Sequence, residues 1–385
     1  MPYVEYLKAD ANDFDGLIDL IDLVFSNSSP TRFESLLPAQ YKERNFMSGA
    51  NYAVKEDGKI VASVGAYPVD YNVCGDNIKV SAITAVAVHS RTRSKGYMKK
   101  LMDMALNDMR EDKVDLSFLY GLRQRYEYFG FTPCGVRFDF YFCKHNFQHY
   151  FGNNLSKSIT FKEADAENAD LLDSVYNIYN SEKVYIKRPR ERFSDIMSTW
   201  ENKTFAVYSD DRFIGYISTE KNYGSICEFF IDNIDLTGNV LNAFLDRFDR
   251  DDVTVSVFPY EVMLHSYLSK FAESVSINKD GNFYVINYIN VIGSFLKLKC
   301  EYTKIIDGSL TFNIRDYGNI TVSVSNNISS VMFTDEKPDF ELSRNEASQL
   351  FFSTYSAYSL GPAEGNFFAR NLLPIPLFAR RLDRS

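Results

Sequence analysis

RTRSKGYMKK, residues 91–100, decides how this chain is read. Five of its ten residues are cationic and none is acidic, although the whole chain of 385 residues carries a formal net charge of -9. The stretch joins an apolar run at 83–88 to an amphipathic run that begins near Tyr97. A strand ending, a tight turn through Gly96 and a helix start together aim several unpaired backbone N–H groups at one point, and such a nest binds phosphate. Arg91, Arg93, Lys95, Lys99 and Lys100 fall within about a turn of that helix start, where the macrodipole favours an anion by roughly 0.3–1 kcal/mol. Gly96 lets a pyrophosphate approach with no Cβ in the way.

The neighbouring pattern extends this reading in both directions. Downstream, the spacing predicts a helix over 97–110 that buries Tyr97, Leu101, Met104, Ala105 and Met109, followed by a strand over 114–120. Upstream it predicts a strand over 3–7, then a helix capped by Asn12 or Asp13 that turns Phe14, Leu17, Ile18, Ile21 and Phe25 to the core. A hairpin of 52–54 and 59–67 turns through Glu56–Gly58, and a strand over 78–88 follows the Cys74-Gly75-Asp76 turn. The result is an antiparallel meander that leads into the basic loop.

Several of these stretches resemble one family. RSKGYM, at 93–98, resembles the Arg/Gln-x-x-Gly-x-Gly/Ala loop of the GNAT superfamily of N-acetyltransferases. Arg93 and Gly96 match it, and Met98 stands where the common pattern has Gly or Ala, a departure shared by the Eis-type branch. TAVAV at 84–88 is similar to the family's central strand, and RYEYFGF at 125–131 to its Tyr-x-x-Phe-Gly-Phe/Tyr signature. The resemblance implies an α+β or α/β chain of tandem GNAT-like domains, each a mixed, mostly antiparallel sheet flanked by helices, with acetyl-CoA as cosubstrate. It places the thioester against the backbone at Val86, Ala87 and Val88. Arg93, Ser94, Lys95, Gly96, Tyr97 and Met98 would hold the pyrophosphate, and Leu122 would also touch the coenzyme. Tyr126 falls on the family's general acid, with Phe129 and Phe131 as core anchors. In the Eis-type branch the base is the chain's own C-terminal carboxylate, here that of Ser385. The tail that carries it reads LFARRLDRS, with Arg380, Arg381 and Arg384, where the branch commonly ends in an aromatic residue.

Acetyl transfer to an amine requires a neutral nucleophile, a polarised thioester carbonyl and help for the departing thiolate, with no covalent enzyme intermediate. A free thiol has a pKa of about 8.5 and tyrosine about 10, so complete proton transfer from Tyr126 is uphill by roughly 2 kcal/mol. Its first task is therefore a hydrogen bond to the leaving sulfur. The resemblance implies a small polycationic acceptor, an aminoglycoside, a polyamine or a lysine-like amine, which the negative net charge would steer inward. Phe25, Phe33 and Glu34 are candidates for the acceptor site. The alternative is a noncatalytic acyl-CoA or lipid-binding protein. A nucleic-acid module is opposed by the sequence pI of 5.2.

Length predicts about two or three domains. KTFAVYSDDRFIGYIS at 203–218 repeats the strand, acidic turn and strand of NYAVKEDGKIVASVGA at 51–66, but the following run leads into DNIDLTGNVLNAFLDRF with no basic loop. Residues 1–150 are thus expected to be catalytic and 155–288 a degenerate GNAT-like domain. From 289 onward, runs at 309–315 and 320–325 flank DYGN as a hairpin, and Ser343 with Glu346 forms a capping box opening a helix over 344–360. This part, 289–385, resembles a sterol-carrier-like domain, and the branch implies that its tail returns to the active site. It also implies a homo-oligomer, a hexamer built from trimers.

No run approaches the about 20 apolar residues of a membrane span, and MPYVEYLKADAND has neither basic head nor hydrophobic stretch, so a cytoplasmic protein without membrane or nucleic-acid partners is expected. The five cysteines are odd in number and lack a CxxC pair, which reads as reduced packing residues. His145 and His149 are four apart but lack the HExxH glutamate, and no metal is expected.

Overall fold

The computed structural model describes residues 2–26, 32–152, 155, 158–354 and 365–384. The chain opens with strand β1 (Val4–Lys8) and continues through β2 (Asn51–Glu56), β3 (Lys59–Val73), β4 (Asp76–Val88), β5 (Leu116–Leu119) and β6 (Thr132–Cys134). The β2–β3 turn has Asp57 at φ 47° and Gly58 at φ 81°, and two left-handed residues in succession match the twist of a tight hairpin. Helix Phe14–Phe25 buries Phe14, Leu17, Leu20, Ile18 and Ile21 against this meander. Asp13 holds its N-cap position, as expected, but makes no side-chain bond to the helix, and the capping bonds lie one turn earlier. Asp10 accepts from the Asn12 N–H at 2.8 Å, while Asp13 accepts from the Asp10 N–H and pairs with Lys55 at 2.5 Å. The helix after the basic loop spans Tyr97–Glu111, with Met102 and Leu106 buried beside the expected residues and Met104 only half-buried.

Next come β7 (Arg137–Cys143), β8 (Ile159–Glu163), β9 (Val184–Ile186), β10 (Lys203–Ser209), β11 (Arg212–Thr219), β12 (Ser225–Ile231), β13 (Asp252–Val257), β14 (Ser274–Asn278) and β15 (Gly281–Val285). The first sheet runs β1-β2-β3-β4-β5-β15-β6 and the second β8-β10-β11-β12-β13-β7-β14. The two orders correspond place by place, except that β7 and β15 have changed sides. The strand that follows β6 lies between β13 and β14, and the strand that follows β14 lies between β5 and β6. Phe140 and Phe142 of β7 are consequently core residues of the second sheet, whereas Phe283 of β15 packs on Phe118 of the first. The sheets therefore do not separate at the boundary expected between 150 and 155. Short β9 also crosses over, pairing with β3 from Tyr71↔Ile186 to Val73↔Val184.

Where the exchanged strands cross, Gly135 has φ 84°, and a Cβ on it would stand 2.9 Å from the Asp280 Cβ and 3.1 Å from the Leu377 carbonyl oxygen. Only glycine fits this crossing.

The third sheet comprises β16 (Gly308–Ile314), β17 (Gly318–Ser325), β18 (Ile328–Phe333) and β19 (Phe340–Leu342), ordered β18-β17-β16-β19. The expected hairpin is β16–β17, and two further strands flank it. Helix Tyr288–Tyr302 and helix Arg344–Phe352 bury this sheet in one core with Tyr71, Val80 and Leu116 of the first. The capping box is present: Ser343 Oγ accepts from the Glu346 N–H, and Glu346 accepts from the Ser343 N–H at 2.8 Å. Its helix ends at Phe352, and residues 355–360 of the expected span lie outside the described residues. Among the described residues no helix is long and apolar enough to cross a membrane.

Candidate functional site

The site begins with two strands that part. Parallel pairing of β4 with β5 runs only from Val80↔Leu116 to Ala82↔Phe118. Beyond Ala82 the register of β4 with β3 shifts, and Ala85 takes φ 43°, a left-handed conformation for a residue with a side chain. A bulge of this kind bends its strand and leaves backbone groups out of the ladder. Ser63 Oγ holds the distortion by donating to the Ala85 carbonyl at 3.3 Å. The separation of β4 from β5 opens a cleft occupied by two adjoining cavities of about 400 and 560 Å³. Val24, Val86 and Arg125 line both, so the two form a continuous path.

The larger cavity lies on the basic loop. Gly96 is the N-cap of helix Tyr97–Glu111 with φ 79° and ψ 7°, Ser94 has φ 66°, and the first helical turn holds no acid. Arg93, Ser94, Gly96, Tyr97 and Met98 line this groove together with Val86 and Val88. The side chains of three further residues expected at the coenzyme do not line this groove. Lys95 turns back to Glu56 at 2.6 Å; Glu56 also accepts from the Tyr97 hydroxyl, and these hydrogen bonds hold its carboxyl below the usual range. The Ala87 side chain is fully buried in the core under helix Phe14–Phe25. Leu122 is exposed and lines the smaller cavity.

The smaller cavity holds Tyr126, at the end of the short helix Arg123–Tyr126 and 6% exposed. Its ring meets Phe131 edge-on at 6.5 Å. Gly121 provides its room, since a Cβ there would lie 2.6 Å from the Tyr126 Cε2. Burial raises the phenol pKa, and the neighbouring Arg125 guanidinium opposes that rise. Opposite stand Phe25 and Phe33, with ring centroids 4.8 Å apart, and Trp200, 6.4 Å from Phe33 with φ 55°. Glu34 does not reach this wall; it pairs with Arg32 at 2.8 Å. Among the described residues lining the smaller cavity there is no acid, but there are three arginines, Arg125, Arg381 and Arg384. A polycationic acceptor therefore meets no carboxylate side chain on this wall.

Arg381 and Arg384 come from the C-terminal tail, which is fastened at several points. Asp383 pairs with buried Arg188 at 2.7 Å, and Arg188 with Glu228 at 2.5 Å. Arg380 pairs with Glu261, Arg381 with Glu220 and Arg384 with Asp280. Asp280 also accepts from the Ala379 N–H at 2.7 Å, which ties the tail to the crossing of the exchanged strands. Trp200 Nε1 donates to the Arg384 carbonyl at 3.3 Å. Ser385 lies outside the described residues, one peptide bond beyond a residue on the cavity wall.

Ala85, Gly121, Arg125 and Trp200 complete the site but carry no distinct signal in the sequence. Ala85 reads as one more apolar strand residue, and Trp200 lies 75 positions from Arg125. Arg125 sits inside the RYEYFGF stretch and was the most accessible to sequence reasoning.

Residues 5–134 match the family described as an acetyltransferase (GNAT) domain. No curated protein matches the chain in sequence. Among solved structures, the chain is similar to a GCN5-related N-acetyltransferase from Anabaena variabilis, with a TM-score of 0.68 at 14% identity covering 98% of each chain. One from Kribbella flavida gives 0.65 at 14% over 100% of this chain and 99% of that one. Eis1 from Mycobacterium abscessus gives 0.65 at 13% over 98% and 99%. At these identities the likeness is one of fold, and it extends over the full length.

Proposed function

We propose that the protein, whose residues 5–134 match the family described as an acetyltransferase (GNAT) domain, transfers the acetyl group of acetyl-CoA to a primary amine by direct attack within a ternary complex. One observation carries this reading: the Gly96 groove and the Tyr126 cavity share Val24, Val86 and Arg125. A coenzyme whose diphosphate lies on the N–H groups at Gly96 and Arg93 reaches along Val88 and Val86 to the bulge. There its thioester faces Tyr126.

Each step then has a group to perform it. Backbone N–H groups released by the bulge at Ala85 polarise the thioester oxygen as charge develops; losing such a donor costs about 2.7–4 kcal/mol. The amine attacks the carbonyl carbon, the C–N bond forms, the C–S bond breaks, and the thiolate leaves toward the phenol. Burial holds the Tyr126 pKa above its ordinary value, and an ordinary phenol is already weaker than a thiol. The phenol therefore stabilises the sulfur by donating a hydrogen bond, and the proton shed by the ammonium balances the thiol. The Ser385 carboxylate, next to Arg384, receives that proton on the way. Ion pairs from Glu261, Glu220 and Asp280 compensate the charges of the three tail arginines. Residues 155–288 and 289–384 act as the frame that brings the tail to the cleft.

Thiol release from acetyl-CoA in the presence of amines is the direct test. Tyr126→Phe is expected to lower turnover tenfold to a hundredfold, about 1.4–2.7 kcal/mol, with coenzyme affinity little changed. A coenzyme-induced rise in melting temperature without turnover on any amine would favour a noncatalytic acyl-CoA-binding protein instead.

A further inference from the structure

We propose that the acceptor carries a carboxylate close to its amine on an apolar or aromatic body, and that Arg125 reads that carboxylate. This rests on the acetyl-transfer reading above and names the substrate class of the same site.

Charge on the cavity wall is the first argument. Arg381 and Arg384 are compensated by Glu220 and Asp280, whereas Arg125 is exposed and forms no ion pair among the described residues. Among the described residues it is the cation of this wall that lacks a counter-charge. A guanidinium is planar, weakly hydrated and forked, which suits it to two-point contact with a carboxylate. A second ammonium on the acceptor would meet this cation, and among the described lining residues no acidic side chain would offset it.

Distance along the acceptor is the second argument. Arg125 and Tyr126 are consecutive, and both line the smaller cavity. An amine placed to attack a thioester at that phenol thus shares one cavity with the guanidinium, which favours a carboxylate carried close to the amine. The rest of the acceptor faces Phe25, Phe33, Leu37 and Trp200, surfaces that take an apolar or flat body.

Arg125 also borders the coenzyme groove, so the test must separate the two roles. Binding of N-acetylphenylalanine and N-acetylphenethylamine, which differ only in the carboxylate, is measured by calorimetry with CoA present. The carboxylate-bearing ligand is expected to bind at least tenfold tighter, Arg125→Gln to abolish that difference, and Arg125→Lys to restore part of it. Equal binding, or a preference that survives in Arg125→Gln, overturns the proposal. So does loss of CoA affinity in Arg125→Gln with the ratio between the two ligands unchanged. In turnover, phenylalanine is expected to exceed phenethylamine and spermidine in kcat/KM, with Arg125→Gln raising the KM for phenylalanine alone; preference for spermidine overturns the proposal. Absence of thiol release with every amine overturns the acetyl-transfer reading, while the calorimetric ratio still decides whether the wall reads a carboxylate.

Discussion

The two large sheets repeat one strand order, yet their corresponding corners differ in chemistry. In the first, β4 leaves β5 after three paired positions and runs into the basic loop; in the second, β12 leaves β13 after two and runs into Asp232, Asn233 and Asp235. A cavity of about 940 Å³ borders the second parting, but its wall carries Glu182, Asp232, Glu261 and Glu301 against one lysine, Lys183. Its helix start is also closed. Asn233 accepts from the Asp235 N–H at 3.0 Å, and at Gly238 the ring of Phe151 fills the space a side chain would need. The fold supplies a parted pair of strands in both places, and the loop that follows decides whether the opening attracts or repels an anion.

That contrast assumes two sheets that cannot stand apart, and the largest expected effect tests this. A fragment of residues 1–150 lacks β15, which lies between β5 and β6, and leaves the aromatic strand β7 without β13 and β14. It is expected to show no cooperative thermal unfolding by circular dichroism and to recover neither structure nor coenzyme binding. A fragment with a sharp transition and native-like coenzyme binding would mean that the exchange is incidental to stability.

How much of this was open to reading follows from whether the deciding contact is local. The Glu56–Gly58 turn, the periodic helix after Gly96 and the Ser343–Glu346 box are set by residues within a few positions of one another, and each occurs where the sequence places it. The exchange of β7 and β15 is different, because alternating Phe138, Phe140 and Phe142 suit a core face in either sheet, and only distant partners choose between them. At the site, Arg93, Gly96, Met98 and Tyr126 are brought to one cleft as their motifs suggest. The ion pair of Lys95 was not legible, because nothing near it in the chain announces Glu56, 39 positions away across the fold. The tail arginines read as free cations in LFARRLDRS, and their acidic partners come from three separate segments.

The second sheet uses its buried charges for structure, and Arg188 measures how far. Its side chain is 1% exposed between Glu228 and Asp383 and stacks 3.7 Å from the Tyr179 ring centroid. Arg188→Ala leaves two buried carboxylates without their cation, a change that costs about 3–5 kcal/mol. The melting temperature is expected to fall sharply. Because Asp383 holds the tail, turnover should drop further than the loss of folded protein explains, while the residual folded fraction still binds acetyl-CoA. Unchanged turnover per folded molecule would detach the tail from catalysis.

The smallest expected effects come from paired changes at the two corners, and they bear on the comparison most directly. Gly96→Ala forces a side chain into φ 79° where open space surrounds it, so the cost is conformational, roughly 1–2 kcal/mol, and not a clash. The same change twists the N–H groups that face the groove, so acetyl-CoA should lose much of its stabilising effect on the melting temperature. Asn233→Ala removes a cap from the equivalent corner and costs about 0.5–2 kcal/mol. Although the two losses of stability are similar, only the first should weaken the coenzyme, since the second corner presents carboxylates to it. If Asn233→Ala weakened acetyl-CoA as much as Gly96→Ala does, the ligand would be responding to general stability, and the basic loop would lose its claim to the diphosphate.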